Sequence, residues 1–316
     1  MSDSSLPTTE VLAAGLSRHI TRLEHARVGP LGSIYHAIAV DELALAVHII
    51  PRQLVQLAVS PTVLCDTLRE LRNPSDRTPF YRWVELTIDG DLCCALPWVE
   101  SIAFVGLARA ARSERHRLTL AAHDLCYELD QWHQTGVIHG VIAPMLLRVD
   151  HTYTTLFLDG MGVFSALIAA GAKAGDVVSL LPVSPYASPE LIDGDVYDRR
   201  ADIYALGATL YEIFTGRAPF GGRATTRIMA SVLIERADET ASGADILVGT
   251  VITALLRAIE KSRDDRWENI RTFGDALLGH VVVAPSPQIS VSANRLGCST
   301  ILLLACALFA ASTRFI

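Results

Sequence analysis

The chain has 316 residues, enough for one two-lobed domain or two smaller ones. Its net charge of −7 argues against a nucleic-acid surface, and only two of its 27 basic residues, Lys173 and Lys261, are lysines. Cysteines Cys65, Cys93, Cys94, Cys126, Cys298 and Cys306 show no paired metal-ligand spacing; with no N-terminal apolar segment, a reducing compartment is expected for the folded part.

Residues 1–18 read as a leader, polar at first and then weakly helical. Strand-like runs begin at Ile20. In ARVGPLGSIYHAIAV, Gly29 and Gly32 stand between apolar residues, a pattern that serves a hairpin turn. LALAVHII is a near-continuous apolar strand interrupted by His48. Residues 61–72 read as one helix carrying Asp66 and Glu70. FYRWVELTIDGDLCCALPWVE then gives a strand, an Asp89-Gly90 turn and a second strand.

Leu118, Ala121, Leu125, Leu129 and Trp132 recur at helical spacing, and this helix leads into VIHGVIAPMLLRVD. An Asp-Gly pair at 159–160 marks a turn, and the small-residue-rich segment from Gly162 to Leu181 is expected to be mobile. From Arg199 to Phe220 the apolar residues Ile203, Leu206, Leu210 and Ile213 predict a helix that is apolar nearly all round and therefore central. Small residues Ala205, Gly207 and Ala208 would admit a close neighbour, and Gly216 followed by Pro219 supplies the stop. A helix after a loop and two closing helices follow, the last two across VGTVITALLRAIEKSRDDRWENIRTFGDALLGH.

Residues 184–220 resemble the end of the activation segment and the central C-lobe helix of the protein kinase superfamily, and are most similar to bacterial serine/threonine kinases. Ser188-Pro189-Glu190 stands where the family has Ala-Pro-Glu, and Asp202 matches the aspartate that caps the catalytic-loop backbone. Gly207 matches the glycine of the same helix, and Arg266 the arginine that pairs with that glutamate. The resemblance covers residues 19–281 and is stronger from 136 to 270. It implies an α+β, bilobal kinase-like fold with a β-rich N-lobe (19–100) and a larger helical C-lobe (101–281).

The chemical positions of the family are altered. Its phosphate-contacting lysine is His48 here, shorter and mostly neutral at pH 7, and no lysine precedes Lys173 to replace it. Arg52 or Arg27 could substitute physically. In the loop that reads His-Arg-Asp, Lys-Pro and Asn in the family, this chain has His139-Gly140-Val141, then Ala143-Pro144, then Leu146. Valine cannot accept a proton and an alkyl chain cannot hold Mg²⁺. His139 is expected to pack under the loop. Val183 replaces the threonine that ties the substrate platform to the catalytic aspartate.

What the resemblance leaves as cofactor positions are Gly29, Gly32, Leu96 and Trp98 for ATP, and Asp159, the aspartate of the family's metal-binding Asp-Phe-Gly, for both nucleotide and Mg²⁺. The hairpin lacks one family glycine, at Arg27, and Pro30 has no amide to offer phosphate. At the far end, residues 282–295 read as a linker and 296–313 as eighteen uncharged residues, roughly 27 Å as a helix, a membrane anchor with no outer sensor domain after it. The expected protein is thus a catalytically impaired, membrane-tethered kinase-like module with a cytoplasmic domain. It would act by binding a protein partner, such as another kinase or signalling protein. The alternatives are a divergent active serine/threonine kinase, with Asp150 or Asp159 as substitute groups, and a different phosphate-transfer chemistry using Asp159 and a metal.

Overall fold

A computed structural model describes residues 16–87, 89–103, 113–183, 185–222, 224–237 and 249–280. The chain divides into a compact unit, Met1–Val283, and a second unit, Ala284–Ile316, which lies outside the described residues. The leader up to residue 15, Ser184 and the expected linker and membrane helix also fall outside them. Among the described residues no helix is long and apolar enough to cross a membrane.

The N-terminal part is a five-stranded antiparallel sheet in the order β1-β2-β3-β5-β4. Its strands are β1 (Ile20–Gly29), β2 (Gly32–Ala39), β3 (Ala44–Ile50), β4 (Trp83–Leu86) and β5 (Leu92–Pro97). Alternation along β2 and β3 sends Tyr35, Ala37, Leu45, Val47 and Ile49 into one apolar cluster. Gly32 is dictated by packing: its φ is +124°, and a Cβ there would lie 2.0 Å from the Ile49 carbonyl oxygen. Between β3 and β4 come a short α1 (Arg52–Val55) and α2 (Pro61–Glu70). Ser60 caps α2 by accepting from the Val63 N–H, and Pro61 occupies the first turn where no amide is needed. Arg69 then donates from Nε and Nη2 to the Val84 carbonyl, fixing α2 to β4. Strand β4 begins three residues later than Phe80, because Phe80 and Tyr81 turn inward. Phe80 packs edge-on against Trp132, and the Tyr81 hydroxyl donates to the Met161 carbonyl at 2.7 Å.

The helical part begins after β6 (Ile102–Ala103) with α3 (Arg115–Gln134). A 3₁₀ turn (Pro144–Leu146) leads to β7 (Leu147–Val149), which pairs with β6 and with β8 (Leu156–Leu158). The segment expected to be mobile is two helices, α4 (Val163–Ala169) and α5 (Ala174–Leu180). Val163, Phe164, Ala166, Leu167, Val177 and Val178 are all buried, because the small residues that suggested mobility permit tight packing. The Ala170 carbonyl accepts from the Val59 and Ser60 N–H groups just ahead of α2.

After α6 (Pro189–Asp193) comes the central helix α7 (Arg200–Thr215), with every residue from Ala201 to Tyr211 buried. Gly216, at φ +80°, stops it. Helices α8 (Thr225–Ile234), α9 (Gly249–Ala258) and α10 (Ile270–Leu277) complete this part. A Cβ on Gly207 would come within 2.6 Å of the Ala258 Cβ, so the glycine sets how closely α9 approaches α7.

Candidate functional site

The scaffold under the loop 139–146 is built from α7. Asp202, fully buried, accepts from the backbone N–H groups of His139 (2.8 Å) and Gly140 (2.7 Å) and bonds His133 Nε2 at 2.8 Å. Burial opposes its ionisation, yet the His133 hydrogen bond, the two nearby imidazoles and the Gly140 amide hold its carboxyl below the ordinary value. His139 lies wholly buried, with Nε2 2.9 Å from the Asp159 carbonyl oxygen, so it braces the loop as expected. Gly140 sits at φ +75°, and the Phe164 ring fills the space a side chain would take there.

The second anchor is Glu190 with Arg266. The two guanidinium nitrogens meet the two carboxylate oxygens at 2.7 and 2.8 Å. Arg266 also donates to the carbonyls of Glu260, Lys261 and Arg200, and lies 4.9 Å from the Tyr204 ring centroid. A buried charge pair needs this saturation, because each unsatisfied group would carry its full desolvation cost. Burial works to raise the Glu190 pKa, and Arg266 outweighs it.

A family model described as a protein kinase domain matches residues 116–269. The serine/threonine-protein kinase PknB of Mycobacterium tuberculosis is 28% identical over 174 residues, 54% of this chain and 28% of that protein. PknJ of Mycobacterium tuberculosis, also a serine/threonine-protein kinase, is 28% identical over 216 residues, 64% of this chain and 36% of its own length. The match over residues 116–269 and these two relatives support membership of the protein kinase superfamily. The chain spans about a third of the length of these relatives. The sheet-rich N-terminal part and helical C-terminal part fit the two lobes of a kinase fold.

The residues that the resemblance sets at the family's catalytic positions are part of the core. Val141, Ala143, Leu146 and Val183 lie in one buried apolar cluster that also holds Leu31 from the β1–β2 turn and Val163 from α4. His48 is 4% exposed on β3. Burial pushes its imidazole down to about 4, with Asp159 opposing and Arg27 assisting, so the ring is neutral at pH 7. Asp66 pairs with Arg69 at the surface, a solvated charge three residues along its own helix. Asp150 is taken up in a turn, accepting from the Thr154 and Thr155 N–H groups and from the Thr152 and Thr154 hydroxyls. These bonds outweigh its slight burial and hold its carboxyl at about 2, too low for a general base at neutral pH.

Asp159 has two partners that its sequence neighbourhood did not reveal. Arg27 Nη2 donates to Oδ2, and Arg148 donates to Oδ1 from Nε (3.1 Å) and Nη2 (2.9 Å). Arg148 reaches on from its Nη1 to the Ser101 hydroxyl (2.5 Å) and the Val99 carbonyl (3.3 Å). The sequence offers Arg27 as a substitute cation and gives no role to Arg148. One charged residue in the apolar run Leu146–Val149 was the available signal, since a guanidinium there must find an acceptor. Burial pushes Arg27 below its ordinary value; Asp159 opposes this and Arg148 adds to it.

The residues present do not fit Mg²⁺. Both Asp159 oxygens are bonded to guanidinium groups, and Leu146 offers no oxygen. Among the described residues no cluster of three or more His, Cys, Asp or Glu could hold a metal ion. Several of the expected nucleotide positions are engaged by the protein's own groups. Leu31, fully buried, has its Cδ1 2.2 Å from where a Cβ on Gly160 would be, so the β1–β2 turn rests on the Asp-Gly turn itself. Gly29 lies over Leu146, and Leu96 is half-buried opposite Ala46. The Trp98 ring packs at 4.5 Å from His36, its backbone N–H donates to the Ala44 carbonyl, and the neighbouring Val99 carbonyl is held by Arg148.

Proposed function

We propose that this protein is a catalytically impaired kinase-like module that acts by binding a protein partner or by allosteric regulation. The observation that carries the reading is the burial of Val141, Ala143 and Leu146 in one apolar cluster. Phosphoryl transfer requires a group that orients the hydroxyl, a cation against the phosphates and ligands for the metal. The side chains at these positions are alkyl, and His48 is a buried neutral imidazole. Because such groups act on the same transferring phosphoryl, losing several together removes far more than any one of them contributes alone.

A kinase scaffold without its chemistry retains a large folded surface, which suits recognition of another kinase or signalling protein. The chain from 19 to 281 would be that module. The linker 282–295 and the apolar stretch 296–313 would tether it to a membrane with the module on the cytoplasmic side. The competing reading, a divergent active serine/threonine kinase, draws on the similarity to two proteins named as such kinases.

One assay separates the readings. The full chain is incubated with γ-labelled ATP and Mg²⁺ or Mn²⁺, alone and with a basic protein substrate, beside Asp159→Asn. The expected result is no transfer above the level of the variant. Transfer by the wild type that Asp159→Asn abolishes overturns the proposal. Co-sedimentation with lipid vesicles, with and without residues 296–316, tests the tether.

A further inference from the structure

We infer that the guanidinium groups of Arg27 and Arg148 take the place of a divalent cation at Asp159 and clasp the two lobes together without metal. This inference concerns the closed state of the cleft and rests on the kinase-like reading of the site. Arg27 comes from the end of β1 in the N-lobe, and Asp159 and Arg148 from the C-lobe, so the contact Arg27–Asp159 bridges the lobes. Arg148 carries the connection on to Val99 and Ser101, the stretch of chain that joins the lobes. One carboxylate thus ties the roof, the floor and the back of the cleft.

The charges decide what the site accepts. Side-chain exposures are 21% for Arg27, 12% for Arg148 and 8% for Asp159, so water screens the cluster little. Two guanidinium cations against one carboxylate leave a net charge of +1, and the nearby His48 adds none because it is neutral. A divalent cation would meet net repulsion and would have to displace two sets of charge-assisted hydrogen bonds from the same carboxylate. Leu31, packed over Gly160, covers the same turn with apolar surface. The clasp therefore gives a kinase-like domain the closed lobe arrangement as a property of its own side chains.

The sign of one substitution tests this in the full chain, in buffer treated with chelator. A metal-ligating aspartate without its metal is a source of repulsion, and its replacement by the isosteric amide raises the melting temperature. A clasping aspartate is the opposite case. Asp159→Asn leaves two guanidinium groups facing each other, and the melting temperature should fall. Arg27→Met should lower it as well, and the double variant should lose less than the two single losses combined, with a coupling of at least tenfold in the folding equilibrium constant. Hydrogen exchange should speed up across β1 and residues 97–101 in Arg27→Met while α7 stays protected. The wild type should leave the free Mn²⁺ electron paramagnetic resonance signal unchanged at millimolar metal. A rise in melting temperature for Asp159→Asn, additive losses, or Mn²⁺ binding by the wild type that disappears in Asp159→Asn would each overturn the clasp. None of these readouts involves phosphotransfer, so an active enzyme with an intact clasp and an inactive one without it are distinguishable.

Discussion

Asp202 and Asp159 are both buried carboxylates of the C-lobe, and they are satisfied in opposite ways. Asp202 is held by two backbone amides and a histidine, all supplied by the loop it supports and the helix beside it. Asp159 is held by two side chains, Arg148 from the neighbouring strand β7 and Arg27 from the other lobe. The first arrangement can serve any kinase-like fold, because it uses backbone groups that exist whatever the sequence. The second depends on two particular arginines. Backbone contacts of the first kind hold the loop whatever side chains surround it, whereas the second kind depends on the side chains themselves.

The largest effect is predicted at the scaffold's buried side-chain pair, Glu190 with Arg266. Arg266→Ala would strand Glu190 as an uncompensated buried charge and remove donors from three backbone carbonyls, costing about 3–5 kcal/mol. Urea denaturation of the full chain measures it, and a loss under about 1 kcal/mol would mean the pair is not structural. The apolar cluster gives the next largest. Val141→Asp restores the residue type that the family uses at this position, but here it places a carboxylate in an apolar cluster with Val183 and Leu146. A loss of about 3 kcal/mol is expected, because the group must either stay charged without a partner or protonate. A neutral or stabilising outcome would show that the loop still holds a polar site.

Much of the scaffold was legible in the sequence because it obeys local rules. The apolar period of Ile203, Leu206, Leu210 and Ile213, with Gly216 behind it, specifies α7, and Gly207 marks the close approach of α9. Asp202, Glu190 and Arg266 could be placed through the resemblance to the kinase superfamily, whose residues they match in order. The clasp could not be placed, since Arg27 and Asp159 lie 132 residues apart and no local pattern joins them. The segment from Gly162 to Leu181 misled for a related reason. Runs of alanine and glycine look unstructured when nothing nearby shows what they pack against, and here α2 and the residues ahead of it supply that surface. Phe80 and Tyr81 have strand-like character, but tertiary burial against Trp132 and Met161 overrides it.

The pH dependence of stability sharpens the contrast on a smaller scale. His48 titrates at about 4 in the folded protein, below its ordinary 6.5, so the unfolded chain takes up a proton first as pH falls. Its neutral burial costs no ionisation work above pH 7, and stability drains away from about pH 6.5 down to pH 4. Between pH 8 and pH 5 this amounts to about 2 kcal/mol. His48→Leu should remove that component, and equal slopes for variant and wild type would show that the ring is protonated or solvated in the fold. Asp66 marks the other limit. Its partner Arg69 is on the same helix, both side chains are more than half exposed, and Arg69 is separately anchored to the Val84 carbonyl. Asp66→Ala should therefore change stability by no more than about 0.5 kcal/mol. A larger loss would place Asp66 in a buried charge network like those of Asp159 and Asp202, and would make α2 part of the cleft's electrostatics rather than a helix docked through Arg69.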